Sequence, residues 1–157
     1  MAKFRYRMQS ILDIKLKMET MAKQDFANAK NALDEEQKKL EELFERKETY
    51  EERHRQLLSG KLDFLEIAAN EEAIHRMEQF IAAQRIQVAK AEDYVEQMRE
   101  ALEEVMKERK VQESLRQKAF EEYLEEEKAA ESKEIDQLTS FTYGQRIKLE
   151  QTNNGDA

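Results

Sequence analysis

The chain has no proline, no cysteine and no tryptophan, and only three glycines and two histidines. Each shortage excludes something. Without proline, the usual break between helices and the usual stiffener of a linker are both missing, which argues against several domains. Without cysteine there is no disulfide framework and no thiol chemistry. With so few β-branched residues and glycines a sheet is not expected. No apolar run approaches the ~20 residues of a membrane span, and Asp13 and Lys15 interrupt the apolar core that a secretory signal would need. The net charge of −8 disfavours nucleic acid and anionic membrane surfaces as partners.

What remains is helix-forming. Glu, Lys, Arg, Ala, Leu and Gln dominate, and 39 % of the 157 residues are charged. Gly60 is the only glycine before Gly144. It follows Leu57-Leu58, where a helix C-terminus favours a residue able to take positive φ. Three residues on, Asp63 suits the N-cap, with Glu66 placed as its reciprocal partner. A stop followed at once by a start predicts a turn near residues 59–63. The expected fold is therefore all-α: two long helices in an antiparallel coiled-coil hairpin, the second longer. Helix one is expected over about 4–58 and helix two over about 64–139, with residues 140–157 a frayed or disordered tail. The alternative is one continuous helix that dimerises in parallel.

Periodicity supports a coiled coil. Ile67, Ile74, Ile81, Val88, Val95 and Leu102 recur every seven residues, accompanied by Asn70, Met77, Gln84, Ala91, Met98 and Val105. In helix one, Phe26, Leu33, Leu40, Lys47 and His54 form one series, and Ala22, Ala29, Glu36, Leu43, Tyr50 and Leu57 form the other. Further upstream, Phe4, Met8, Ile11, Ile14, Met18 and Met21 make one apolar helical stripe. The spacing Met18, Ala22, Phe26 implies a stutter. With the turn centred near residues 61–62, facing residues should sum to about 124. That register sets His54 against Asn70 and leaves two poor layers, Lys47 on Met77 and Glu36 on Val88.

Charge is uneven. Lys3, Arg5, Arg7, Lys15, Lys17 and Lys23 against Asp13 and Glu19 leave residues 1–24 at +4, while residues 116–136 stand at −4. The hairpin register sets these stretches near each other. They then either neutralise one another, or form a charged docking end.

Chemistry-bearing constellations are few. Glu72-Ala-Ile-His75 is a lone Glu-x-x-His, whereas a di-iron bundle needs two such units and two further helices. There is no phosphate-binding glycine loop, no nucleophile elbow and no His-Glu-x-x-His. A two-helix hairpin offers no concave pocket of catalytic size. Neither enzyme activity nor a cofactor or metal is expected; a metal-dependent enzyme is the rival from another class. Tyr50 and Phe80 lie towards the turn, with Phe80 flanking the seam as a candidate partner contact.

The opening Phe4-Arg5-Tyr6-Arg7-Met8-Gln9-Ser10-Ile11-Leu12-Asp13 resembles the N-terminal signature of the flagellar FliJ family. The Lys133-Glu134-Ile135-Asp136-Gln137-Leu138 segment, the chain length and the two-helix layout share that resemblance. It implies an antiparallel coiled coil without catalytic activity, a part of the flagellar type III export apparatus that binds two partners. One is the export ATPase hexamer. The other is the cytoplasmic region of the export-gate membrane protein. Export chaperones are a third implied partner. The implied location is cytoplasmic, peripheral to the membrane through protein contacts only, and the chain is expected to be a monomer. Carried onto this sequence, the implied gate contacts are Leu43, Tyr50, Met77, Phe80 and Gln84, and the implied ATPase contacts are Arg5, Arg7, Lys15 and Lys17. The rival within non-catalytic proteins is a generic coiled-coil spacer or adaptor forming a parallel dimer.

Overall fold

In the computed structural model, which describes residues 3–155, two helices account for nearly all of the chain. They are α1 (Gln9–Leu58) and α2 (Phe64–Gly155), packed as an antiparallel hairpin, and no strand occurs among the described residues. The turn falls at residues 59–63. Contacts divide the chain into two compact units. One is Lys15–Glu108; the other joins the described residues of Met1–Ile14 and Arg109–Ala157.

The turn forms largely as its residues dictate. Asp63 caps α2: its Oδ1 accepts from the amides of Leu65 and Glu66 at 3.1 and 3.3 Å. Glu66 turns to α1 and accepts from Arg53 at 2.6 Å, so the reciprocal half of a capping box gives way to an interhelical ion pair. Gly60 does not adopt positive φ, contrary to the expectation for it. α1 ends instead on a tight last turn, where Ser59 donates from both its amide and its hydroxyl to the Gln56 carbonyl, at 3.3 and 2.9 Å.

Within Lys15–Glu108 the seam is unbroken. Every residue of both helix-two series, Ile67 to Leu102 and Asn70 to Val105, is buried or half-buried. So is every residue of both helix-one series from Ala22 to Leu57. Polar side chains tie the helices together. The Asn70 amide donates to the Tyr50 carbonyl at 2.8 Å, one turn from His54, its expected partner. Gln84 donates to the carbonyl and the carboxylate of Glu36 at 2.9 and 2.5 Å. Both pairs sum to 120, one turn short of the expected 124. The poor layer at Glu36 thus becomes a polar clasp. At the other, Lys47 lays its stem along the seam and carries its ammonium to Glu51 and Glu78, at 3.6 and 3.7 Å.

The stutter does not occur. The three-four spacing continues upstream through Phe26, Ala22, Glu19, Lys15 and Leu12, all buried or half-buried. Lys15 is accommodated by Glu108 at 2.7 Å. Ile11, Ile14, Met18 and Met21 each stand one residue before a seam position, about 100° round the helix, and all four are exposed. Holding one phase avoids unwinding the pair, at the cost of a polar seam and an apolar stripe left outside.

Both outer boundaries differ from expectation. Residues 3–6 are not helical, and α1 begins at Gln9 rather than near residue 4. α2 continues to Gly155 where an end near 139 and a frayed tail were expected. A helical Gly144 costs only about 1 kcal/mol, and the helix formers Gln145 to Gln151 follow it. The last two residues of the expected tail, Asp156 and Ala157, lie outside the described residues.

Candidate functional site

Three surfaces bear on partner binding. The first is the N-terminal arm, residues 3–8. Phe4 and Tyr6 are half-buried and alternate with the exposed Arg5 and Arg7, and the Gln9 amide donates to the Tyr6 carbonyl at 3.1 Å where the arm turns into α1. Phe4 meets the rings of Phe120 and Tyr123 with centroids 5.1 and 5.4 Å away. The Arg116 guanidinium lies 5.7 Å from the Phe4 centroid and donates to Gln9 at 3.0 Å. Tyr6 donates from its hydroxyl to Gln112 at 3.2 Å. Aromatic packing therefore fixes the arm, and Arg5 and Arg7 are exposed with no ion-pair partner among the described residues.

Among the described residues no ion pair joins a cation of residues 3–24 to the acidic run from Glu121 to Asp136. Of the four expected ATPase contacts, Arg5, Arg7 and Lys17 are exposed, while Lys15 is committed to Glu108.

The second surface is the expected gate patch. Met77 is buried, and Leu43, Tyr50 and Gln84 are half-buried in the seam. Only Phe80 of the five presents most of its side chain, at 53 % exposure. On the facing helix Phe44 is exposed too, and the Arg85 guanidinium lies 5.5 Å from its centroid.

The third surface is the turn itself, which the sequence reading passed over. Leu58, Leu62, Phe64 and Leu65 are all exposed. The available signal was four large apolar residues within eight positions, none of them in a heptad series.

The lone Glu-x-x-His has ordinary surface partners. Glu72 pairs with Arg76 at 2.9 Å, while His75 lies 3.3 Å from the Gln79 amide and 4.0 Å from Glu78. The Glu-x-x-His unit is thus divided between two sets of partners. Among the described residues no three His, Cys, Asp or Glu side chains gather as metal ligands. Surface hollows are open grooves, such as the one along Glu45, Thr49, Glu52 and Gln56. Among the described residues four ionisable groups depart clearly from their ordinary behaviour. Hydrogen bonds lower the Glu36 pKa through Gln84 and the Glu96 pKa through Arg99. Likewise Arg55 is raised by Glu52, and Arg99 by Glu96. These are ordinary helix-surface and seam pairs.

The architecture defines a coiled-coil hairpin protein with exposed charged and apolar side chains at its arm and its turn. The chain matches the family model described as flagellar FliJ protein over residues 4–148, nearly its whole length, and it belongs to the FliJ family. It is thereby a flagellar export-related protein of a non-catalytic family. No curated protein and no solved structure matches the chain. No helix among the described residues is long and apolar enough to cross a membrane.

Proposed function

We propose that the chain is a non-catalytic coupling stalk of the flagellar export apparatus. It binds the export ATPase hexamer through the arm, with Arg5 and Arg7 as the contacts, and the cytoplasmic region of the export gate through the turn end. On this reading it works in the cytoplasm, held at the inner face of the membrane by protein contacts alone.

The observation that carries the reading is the arm. Phe4 and Tyr6 hold a short non-helical segment in place, leaving Arg5 and Arg7 exposed with no ion-pair partner among the described residues. Within the same unit, Ile11 and Ile14 are exposed on α1. Unpaired cations beside exposed apolar side chains suit an acidic protein partner. They give charge steering at the rim and apolar contact beneath it.

The Arg5→Glu/Arg7→Glu double variant tests this. Affinity for the purified cognate export ATPase should fall at least about tenfold, and far-UV circular dichroism should not change. Binding by the unaltered chain should weaken as salt rises. Unchanged affinity in the double variant would refute the arm as the ATPase contact.

A further inference from the structure

The turn carries the two most exposed large apolar residues of the described chain, Phe64 at 75 % and Leu65 at 85 %. Leu58 and Leu62 beside them are about half exposed. These side chains are not part of a loose loop. The Asp63 carboxylate holds the amides of Leu65 and Glu66, and the Ile67 amide donates to the Asp63 carbonyl at 3.0 Å. Phe64 and Leu65 therefore stand on a capped first helical turn. A preorganised anchor loses little conformational entropy when it docks.

The surroundings are balanced in charge. Arg53 pairs with Glu66 at 2.6 Å, and Arg55 pairs with Glu52. Lys61 and Asp63 complete a collar of three cations and three anions. In a chain at −8 overall, this stretch combines a strong apolar signal with no local net charge.

The surface discriminates between occupants. The exposed parts of the four side chains amount to on the order of 500 Å² per copy, so two turns packed together would bury about 1,000 Å² in all, the floor for a specific interface. A bilayer surface is also a poor match. Interfacial anchors combine apolar side chains with an excess of Lys and Arg, which this collar lacks. A concave protein surface can enclose the protruding Phe on several sides and exclude water from it, the usual geometry of a dominant binding anchor.

We infer that the turn is an apolar docking knob, inserting Phe64 and Leu65 into an uncharged apolar cleft of a folded partner protein. This rests on the reading above for the partner's identity, the cytoplasmic domain of the export gate, and it moves the contact from Leu43, Tyr50, Met77 and Gln84 to the turn. Since the collar has no net charge, this docking is insensitive to salt.

The test is calorimetric titration of the full chain with the purified gate domain at low and high salt. Phe64→Ser/Leu65→Ser should weaken binding at least about thirtyfold, with Phe64→Leu within a few-fold of the unaltered chain. Affinity of the unaltered chain should change less than about threefold between the two salts. If the gate domain binds but the double-serine variant binds equally well, or high salt abolishes binding, the knob is refuted while the gate reading stands. If the gate domain does not bind the unaltered chain, both fall. Sedimentation of the chain with lipid vesicles, or a dimer in light scattering that the double-serine variant abolishes, would overturn the inference in favour of those occupants.

Discussion

Between Lys15 and Glu108 each helix offers a seam residue every third or fourth position, and each finds a place against the other helix. In the unit that holds the N-terminal arm, contact is sparse. Three rings and a few polar bonds fix the arm, and after Glu127 every described residue of α2 is exposed. The first region spends its heptad residues on its own helix pair and leaves Leu58, Leu62, Phe64 and Leu65 exposed at the turn. The second leaves Ile135, Leu138, Phe141 and Leu149 in water. The paired seam thus carries stability, while the exposed apolar side chains lie outside it, at the turn in one unit and along α2 in the other.

Side-chain deletions test this contrast. Ile81 is buried in the seam, and Ile81→Ala should lower unfolding free energy by about 2–3 kcal/mol in urea titrations followed by circular dichroism. Ile135→Ala, on the exposed part of α2, should stay within about 0.5 kcal/mol. Equal effects would erase the distinction between the regions.

Phe4→Ala probes the sparse region. It removes the ring that meets Phe120 and Tyr123, contacts of about 1 kcal/mol beyond simple burial. Trypsin should then cleave after Arg5 and Arg7 several-fold faster, with the main helical transition unmoved. A matching fall in global stability would show that the arm is structural rather than a local attachment.

Two polar positions should each count for about 1 kcal/mol. Asn70→Ala deletes the donor to the Tyr50 carbonyl, and Asp63→Ala deletes the cap of α2. Both are read as shifts in the urea midpoint.

The smallest effect is on pH dependence. The Gln84 hydrogen bond lowers the Glu36 pKa in the folded chain. Its contribution is therefore present above the ordinary Glu pKa and lost as pH falls through the folded value. Gln84→Ala should flatten the acid side of the stability profile and leave the neutral side parallel to that of the unaltered chain.

The dense region was largely legible in the sequence. A seven-residue repeat from Ile67 to Leu102 demands a helix with one buried seam, and an Asp three residues after a glycine marks a new helix start. Between residues 11 and 26 the apolar residues alone point to the wrong phase. Ile14 and Met18 look like seam positions, yet Lys15 and Glu19 occupy the seam. A long charged side chain can pack its stem and send its head to a partner, so phase continuity outweighs residue type. The position of Gly60 after Leu57-Leu58 suggests a left-handed residue, but the tight hydrogen-bonded end at Ser59 makes that conformation unnecessary. The candidate surfaces were legible in part. The alternation of Phe4, Arg5, Tyr6 and Arg7 already separates packing from exposed charge. Met77 and Tyr50 lie on heptad positions, where burial competes with binding. Phe64 and Leu65 were missed because a search by periodicity passes over residues that belong to no period.

The most direct test of the coupling role is ATP hydrolysis by the cognate export ATPase, with and without the full chain. The account predicts that the unaltered chain raises turnover and promotes ring assembly, and that Arg5→Glu/Arg7→Glu does neither. Turnover unaffected by the unaltered chain, or raised equally by both, would contradict it.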